Sequence, residues 1–140
     1  MRSLLFILML IISQTCFSQK NNTMKSTSIN GTWIPVKQEI GGKSLPAALF
    51  EKQTLTINDS LYVVVAESTD KGLLQYKEDK MDIYGKEGVN AGKHFTALFK
   101  NDNDQLTICY NLAGDSYPES FDTNGKPLYF LSVFRKASTK

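Results

Sequence analysis

The chain has 140 residues, with 16 Lys and Arg against 14 Asp and Glu and a formal net charge of +2. That near balance, with no basic stripe, argues against a surface for nucleic acid or anionic membrane. The length is that of one domain, and about 120 residues suffice to bury roughly two thirds of the surface an unfolded chain exposes, so a core can form without staples.

Residues 1–18 have the three parts of a secretory signal: Arg2 at the start, an apolar run from Leu4 to Ile12, and small residues near the exit. The run is too short to span a bilayer, which takes about 20 apolar residues. Cleavage after Ser18 is expected, so the product is exported, periplasmic or extracellular. A lipid anchor at Cys16 is the alternative, but Ser13-Gln14-Thr15 lacks the leucine and small residues of a bacterial lipoprotein signal. With Cys16 removed, Cys109 is the one thiol left and no internal disulfide is available. Residues 19–29 are polar and without apolar periodicity, which reads as a disordered linker. The folded domain is expected over residues 30–137, with a tail at 138–140.

Residues 32–40 place Ile34, Val36 and Ile40 on one parity and Lys37 on the other, the alternation of a half-buried strand. Pro35 cannot donate to a ladder, so that strand should be bulged or at an edge there. Residues 45–52 are the one helical stretch, with Pro46 suited to a first turn. Residues 53–58 and 61–67 form a hairpin about Asn58-Asp59-Ser60. After a break at 68–71, residues 72–78 and 81–86 form a second about Asp79-Lys80. Residues 87–93 are a loop containing Gly and Asn. Strands at 94–100 and 105–112 flank the Asn101 to Asp104 turn, the first placing Phe95, Ala97 and Phe99 on one face and the second Leu106, Ile108 and Tyr110. A longer loop at 113–126 leads to a last strand at 127–136, whose apolar residues on both parities indicate cover on both sides.

Eight successive antiparallel strands that need no crossover helix fit a sandwich or an up-and-down barrel. The only Trp, Trp33, stands at the start of the first strand, and Arg135, the one arginine beyond the leader, at the end of the last. A guanidinium on the indole would tie the two together, a contact worth roughly 0.5–2 kcal/mol. We therefore expect an all-β, eight-stranded antiparallel up-and-down barrel, with one short helix after the first strand and Trp33 and Arg135 closing it.

The chemical motifs are thin. Gly42-Lys43-Ser44 has the end of a phosphate-binding loop, yet Lys37 stands where its first glycine belongs. The Asn101 to Asp104 run lacks the glycine and glutamate of a calcium loop. His94 has no second His or Cys pair at ligand spacing and no Gly-x-Ser-x-Gly elbow to serve, so no metal site, cofactor or enzymatic activity is expected. Cys109 reads as a small buried hydrophobe.

Gly31-Thr32-Trp33 together with the terminal Arg135 resembles the lipocalin signature, in which the tryptophan floors a barrel and the arginine packs across it. The chain is most similar to lipocalin-like calycin domains of uncharacterised secreted bacterial proteins. The resemblance runs through Gly42-Lys43-Ser44-Leu45-Pro46, Asp104-Gln105-Leu106-Thr107-Ile108-Cys109-Tyr110, Pro118-Glu119-Ser120-Phe121 and Arg135. Tyr117 stands where that pattern has arginine before the proline. The resemblance implies a fold more firmly than an activity. An eight-stranded barrel either is filled by its side chains or holds one small ligand. The first expectation is a carrier that binds a small apolar or amphipathic molecule, lined by Tyr76, Phe95, Phe99, Ile108 and Tyr110. The alternative is a filled barrel acting as a cell-envelope interaction module, with loops 87–94 and 113–126 meeting a protein partner.

Overall fold

The computed structural model describes residues 28–138. The expected leader at 1–18, the Cys16 anchor, most of the linker and residues 139–140 lie outside the described residues.

Strands β1 (Gly31–Ile40), β2 (Lys43–Ser44), β3 (Thr54–Asn58), β4 (Leu61–Val65), β5 (Thr69–Lys77), β6 (Lys80–Glu87), β7 (His94–Asp102), β8 (Gln105–Asn111) and β9 (Tyr129–Lys136) form one sheet. Every pairing is antiparallel, and β9 pairs back onto β1 from Trp33↔Lys136 to Ile40↔Phe130. The sheet is thus a closed up-and-down barrel of eight strands, with the two-residue β2 as an extra flap on the end of β1. The tight turns take positive φ at Asp59 after β3, Glu78 after β5 and Asn103 after β7, a conformation that Asp and Asn tolerate well. The helical stretch is a single 3-10 turn at Ala47–Leu49. Pro46 stands at its N-cap without a side-chain cap, and so short a segment has little to propagate a helix.

One end of the barrel is shut. Trp33 is fully buried and donates its indole N–H to the Ile29 carbonyl at 2.8 Å. Ile29 is itself fully buried in the core with Leu106, Ile57 and Phe134. The expected linker boundary at 29 is therefore corrected: Ile29 belongs to the fold, because a lone apolar side chain in a polar run is enough to plug the barrel end.

Two further expectations change. The bulge foreseen at Pro35 lies between Pro35 and Lys37 and shifts the parity of β1. Trp33, Pro35 and Gln38 face inward as a result, while Val36 is 49% exposed and Ile34 points outward opposite Arg135. Arg135 is exposed and does not cover the indole. The cation over Trp33 is Lys136, whose Nζ lies 5.4 Å from the ring centroid. Lys136 is the direct partner of Trp33 in the ladder, and neighbouring residues on a strand point to opposite faces. Strand β5 starts at Thr69, shortening the expected break at 68–71.

The 112–128 connection is strapped against the outside of β7, β8 and β9. It covers Leu98, Cys109 and Leu131, which face away from the barrel interior and are still buried. Its own Pro118 and Thr123 are fully buried. Thr96 Oγ1 donates to the Ser116 carbonyl at 2.5 Å, Asn111 Nδ2 to Asp115 Oδ1 at 2.8 Å, and Thr123 Oγ1 to Glu39. This second, smaller core explains the apolar residues on both parities of β9. Burial pushes the Cys109 thiol up to about 11, with the Lys126 ammonium working against that rise.

Among the described residues no helix is long and apolar enough to cross a membrane. The outward positions of β5 and β6 include Lys71, Gln75, Lys77, Asp82 and Lys86, unlike the apolar belt of a membrane-spanning barrel.

Candidate functional site: a two-chambered barrel interior

Opposite the Trp33 floor, the barrel is not filled. A cavity of about 510 Å³ is walled by inward residues of seven strands, among them Leu55, Ile57, Val64, Leu74, Met81, Ile83 and Ile108. Loop 88–93 contributes Asn90 and Lys93 at its rim, and Leu112 and Phe130 stand across from them. The size is within the roughly 300–1,000 Å³ of small-molecule sites. A side chamber of about 250 Å³ shares Leu55, Val64, Tyr110 and Phe130 with it and adds Pro35, Gln38, Gln53, Thr54, Ser132 and Phe134.

Glycine in two strands makes room for the wall. Gly72 pairs with Tyr62 on one side and Gly85 on the other. A Cβ on Gly72 would lie 2.7 Å from the Tyr62 ring and 2.8 Å from its hydroxyl, and one on Gly85 would strike the Asn90 backbone. The missing side chains thus let Tyr62 lie across β5 and let the rim loop fold down over β6. That loop is held by buried Asp70, whose Oδ1 accepts the Asn90 N–H at 3.0 Å.

Two phenols face the cavity. Burial holds the ionisation of Tyr110 far above its ordinary range, with Tyr62 adding to the rise, although part of the Tyr110 ring still borders the void. Tyr62 is raised first by burial and then by the Asp70 carboxylate. Both are neutral hydroxyls at ordinary pH, able to donate or accept a hydrogen bond.

All five residues expected to line a ligand site have inner parity. Phe95, Ile108 and Tyr110 border the main chamber. Tyr76 and Phe99 do not: they pack edge to face, centroids 5.7 Å apart, against the core cluster near the β5–β6 end of the barrel. Sequence reasoning missed most of the aliphatic wall, since Leu and Ile look alike whether they fill or line an interior. It also missed Gln38, displaced in parity by the bulge at Pro35, and Ser132, whose signal was its place between Phe130 and Phe134 on one parity of β9.

A separate polar cluster sits on the outer face. His94 Nε2 lies 2.7 Å from Asp82 Oδ1, its ring stacks on Tyr84 at 4.7 Å, and Tyr117 of the strap donates its hydroxyl to Asp82 Oδ2. Its third member is a phenol bonded to the carboxylate, so the cluster pins the strap and brings no serine or cysteine nucleophile to the histidine. Among the described residues, no group of three or more His, Cys, Asp or Glu side chains is placed to hold a metal.

No protein-family model matches the chain, and no curated protein does. A solved structure is similar: an uncharacterised protein from Bacteroides eggerthii, with a TM-score of 0.52 and 10% sequence identity, aligned over 79% of this chain and 100% of that one. The two share an antiparallel β-barrel fold. At so low an identity the likeness carries the architecture and nothing about what either protein binds.

Proposed function

We propose that this chain is an exported, lipocalin-like carrier that holds one small apolar or amphipathic molecule non-covalently inside its barrel. The observation that carries the reading is the unfilled interior: about 510 Å³ bounded chiefly by aliphatic and aromatic side chains, with a few polar groups at one rim. A barrel selected for stability alone gains by filling such a space, because a void forfeits both transfer energy and packing contacts. Export rests on the leader-like residues 1–18, and the lipocalin kinship on the Gly31-Thr32-Trp33 start joined to a cation-capped indole. Lys136 serves as that cation in place of Arg135.

The experiment is native mass spectrometry of protein purified from its own host, paired with uptake of the neutral fluorophore N-phenyl-1-naphthylamine by ligand-stripped protein. A retained small molecule and saturable uptake, both lost when Leu74 is replaced by Trp to fill the chamber, are expected. Empty protein that takes up no fluorophore would overturn the carrier.

One observation favours the interaction module as a second reading. Leu49, Val65, Val89 and Leu128 are all exposed, and the topology puts them at the open end, Val65 as the last residue of β4 and the others on connections. A protein partner seated on that rim would bind equally to the Leu74→Trp variant, whereas a carrier's ligand would not. The strapped-down 112–128 segment is less suited to that role than loop 88–93.

A further inference from the structure

The side chamber differs in chemistry from the main one, and the difference bears on what a ligand's head group is. On the reading of the barrel as a carrier, we propose that the side chamber takes the uncharged hydrogen-bonding head of an amphiphile, a hydroxyl or amide, while its apolar body lies in the main chamber, and that it selects against a carboxylate.

The carrying observation is a pair of buried polar side chains on the inner face. Gln38 is 6% exposed and Ser132 is 0% exposed, and they face each other across the β1–β9 seam. An inward polar pair in a barrel core costs stability unless it is satisfied. Here the satisfaction is partial in a specific way. Gln38 Nε2 donates to Gln53 Oε1 at 3.1 Å and to Ser132 Oγ at 3.4 Å, and Gln53 Nε2 donates to the Leu49 carbonyl at 3.0 Å. Among the described residues this leaves Gln38 Oε1 without a donor and the Ser132 hydroxyl proton without an acceptor. Gln38 Oε1 is not sealed off, since the one fully enclosed side-chain polar atom lacking a partner among the described residues is Asn101 Oδ1, at the opposite end, whereas Ser132 is fully buried behind it. Both atoms belong to residues that line the side chamber.

One free acceptor beside one free donor is the complement of a group that both gives and takes a hydrogen bond. A hydroxyl or a primary amide does so, whereas an ionised carboxylate only accepts and would set its charge against Gln38 Oε1. No charged residue lines this chamber. The surroundings also disfavour a buried anion: the desolvation that holds Tyr110 neutral acts on any acid placed beside it, and Tyr110 borders both chambers. Lys93 is the one charged residue lining the main chamber, and it is exposed at the rim, where solvent screens it.

The test is displacement of N-phenyl-1-naphthylamine from the stripped protein by 1-dodecanol, dodecanamide and, at pH 8, dodecanoate. The alcohol and the amide are expected to compete at least about tenfold better than the carboxylate, the scale set by leaving one buried hydrogen-bonding group unsatisfied. Gln38→Met, near-isosteric and apolar, and Ser132→Ala are each expected to reduce that advantage severalfold. Dodecanoate competing as well as the alcohol, or an undiminished advantage in both variants, would overturn the head-group assignment and leave the carrier standing. Absence of fluorophore uptake by the unmodified protein would overturn both. The comparison in unmodified protein holds even if one variant fails to fold.

Discussion

Replacing Trp33, Lys136 and Arg135 one at a time probes the closed end of the barrel quantitatively. Trp33→Ala removes a fully buried indole, and large aromatic truncations in cores cost about 3–5 kcal/mol. It also strips the Ile29 carbonyl of the N–H that reaches it at 2.8 Å, and an unsatisfied buried group adds about 1–3 kcal/mol. Trp33→Phe keeps most of the packing and loses chiefly that bond, so about 1–3 kcal/mol is expected. Lys136→Ala loses a cation at 5.4 Å from the ring, worth about 0.5–1 kcal/mol at an exposed site. Arg135→Ala, exposed on the outer face, should fall within about 0.5 kcal/mol of the parent. Urea unfolding followed by far-UV circular dichroism reads all four without relying on the tryptophan. With an m-value of about 1–3 kcal/mol/M, a loss of 3 kcal/mol moves the midpoint by about 1–3 M, well beyond error. An Arg135→Ala protein less stable than Lys136→Ala would refute the assignment of the capping cation, and a Trp33→Ala protein that melts like its parent would refute the role given to the indole.

Other consequences are open to measurement. Gly72→Ala forces a methyl against the Tyr62 ring and the Tyr84 carbonyl, and urea melts are expected to show a loss of about 1–3 kcal/mol together with weaker fluorophore uptake; a neutral result would contradict the close packing across β5. Tyr110 and Tyr62 have folded-state ionisations raised above the ordinary phenol value of 10.0, so the native state holds their protons longer than the unfolded chain does. Stability should be fully present below pH ~10 and fall as pH rises beyond it, by at most about 1.4 kcal/mol per pH unit per group. Tyr110→Phe should flatten that decline in pH-dependent melts, and an unchanged slope would argue against its burial. Cys109, fully buried with its thiol raised to about 11, should resist thiol reagents at pH 8 until urea unfolds the protein; rapid labelling of the native Cys109 peptide, mapped by mass spectrometry, would contradict the strap's closure. Tyr117→Phe frees the strap from Asp82, and hydrogen exchange is expected to rise in residues 113–118 with a cost of about 0.5–1.5 kcal/mol; unchanged exchange would show that the latch does not hold the strap.

Much of the architecture was legible because strand parity and turn residues leave local marks. The 59, 78 and 103 turns, the bulge beside Pro35 and the two-sided cover of β9 all follow from residues within a few positions. What failed was long-range. One residue of register separates Lys136 from Arg135, and only the pairing of β9 with β1 reveals which of them meets Trp33. Alternation alone puts Val36 in the core, but the bulge turns it outward and the same shift carries Gln38 inward. Tyr76 and Phe99 had the right parity but the wrong depth, a coordinate that alternation does not encode. Asp82, His94 and Tyr117 come together through a strand pair and a loop, at separations no local pattern joins. Gly72 and Gly85, within strands, were the one overlooked local sign of a close approach inside the wall.

The joint between β1 and β9 has a bearing on how the molecule comes to exist. Each other neighbour in the ring is joined by a connection that local search can find, but Trp33 must find Lys136 across almost the whole folded length. Loop-closure entropy makes such a contact slow to form, and all-β chains rich in distant pairings fold over milliseconds to seconds. Until it forms, β1 and β9 present unpaired edges that a second chain can zip onto. The bulge beside Pro35 and the strap along β9 blunt those edges, so variants that loosen either one should aggregate during refolding before they lose equilibrium stability.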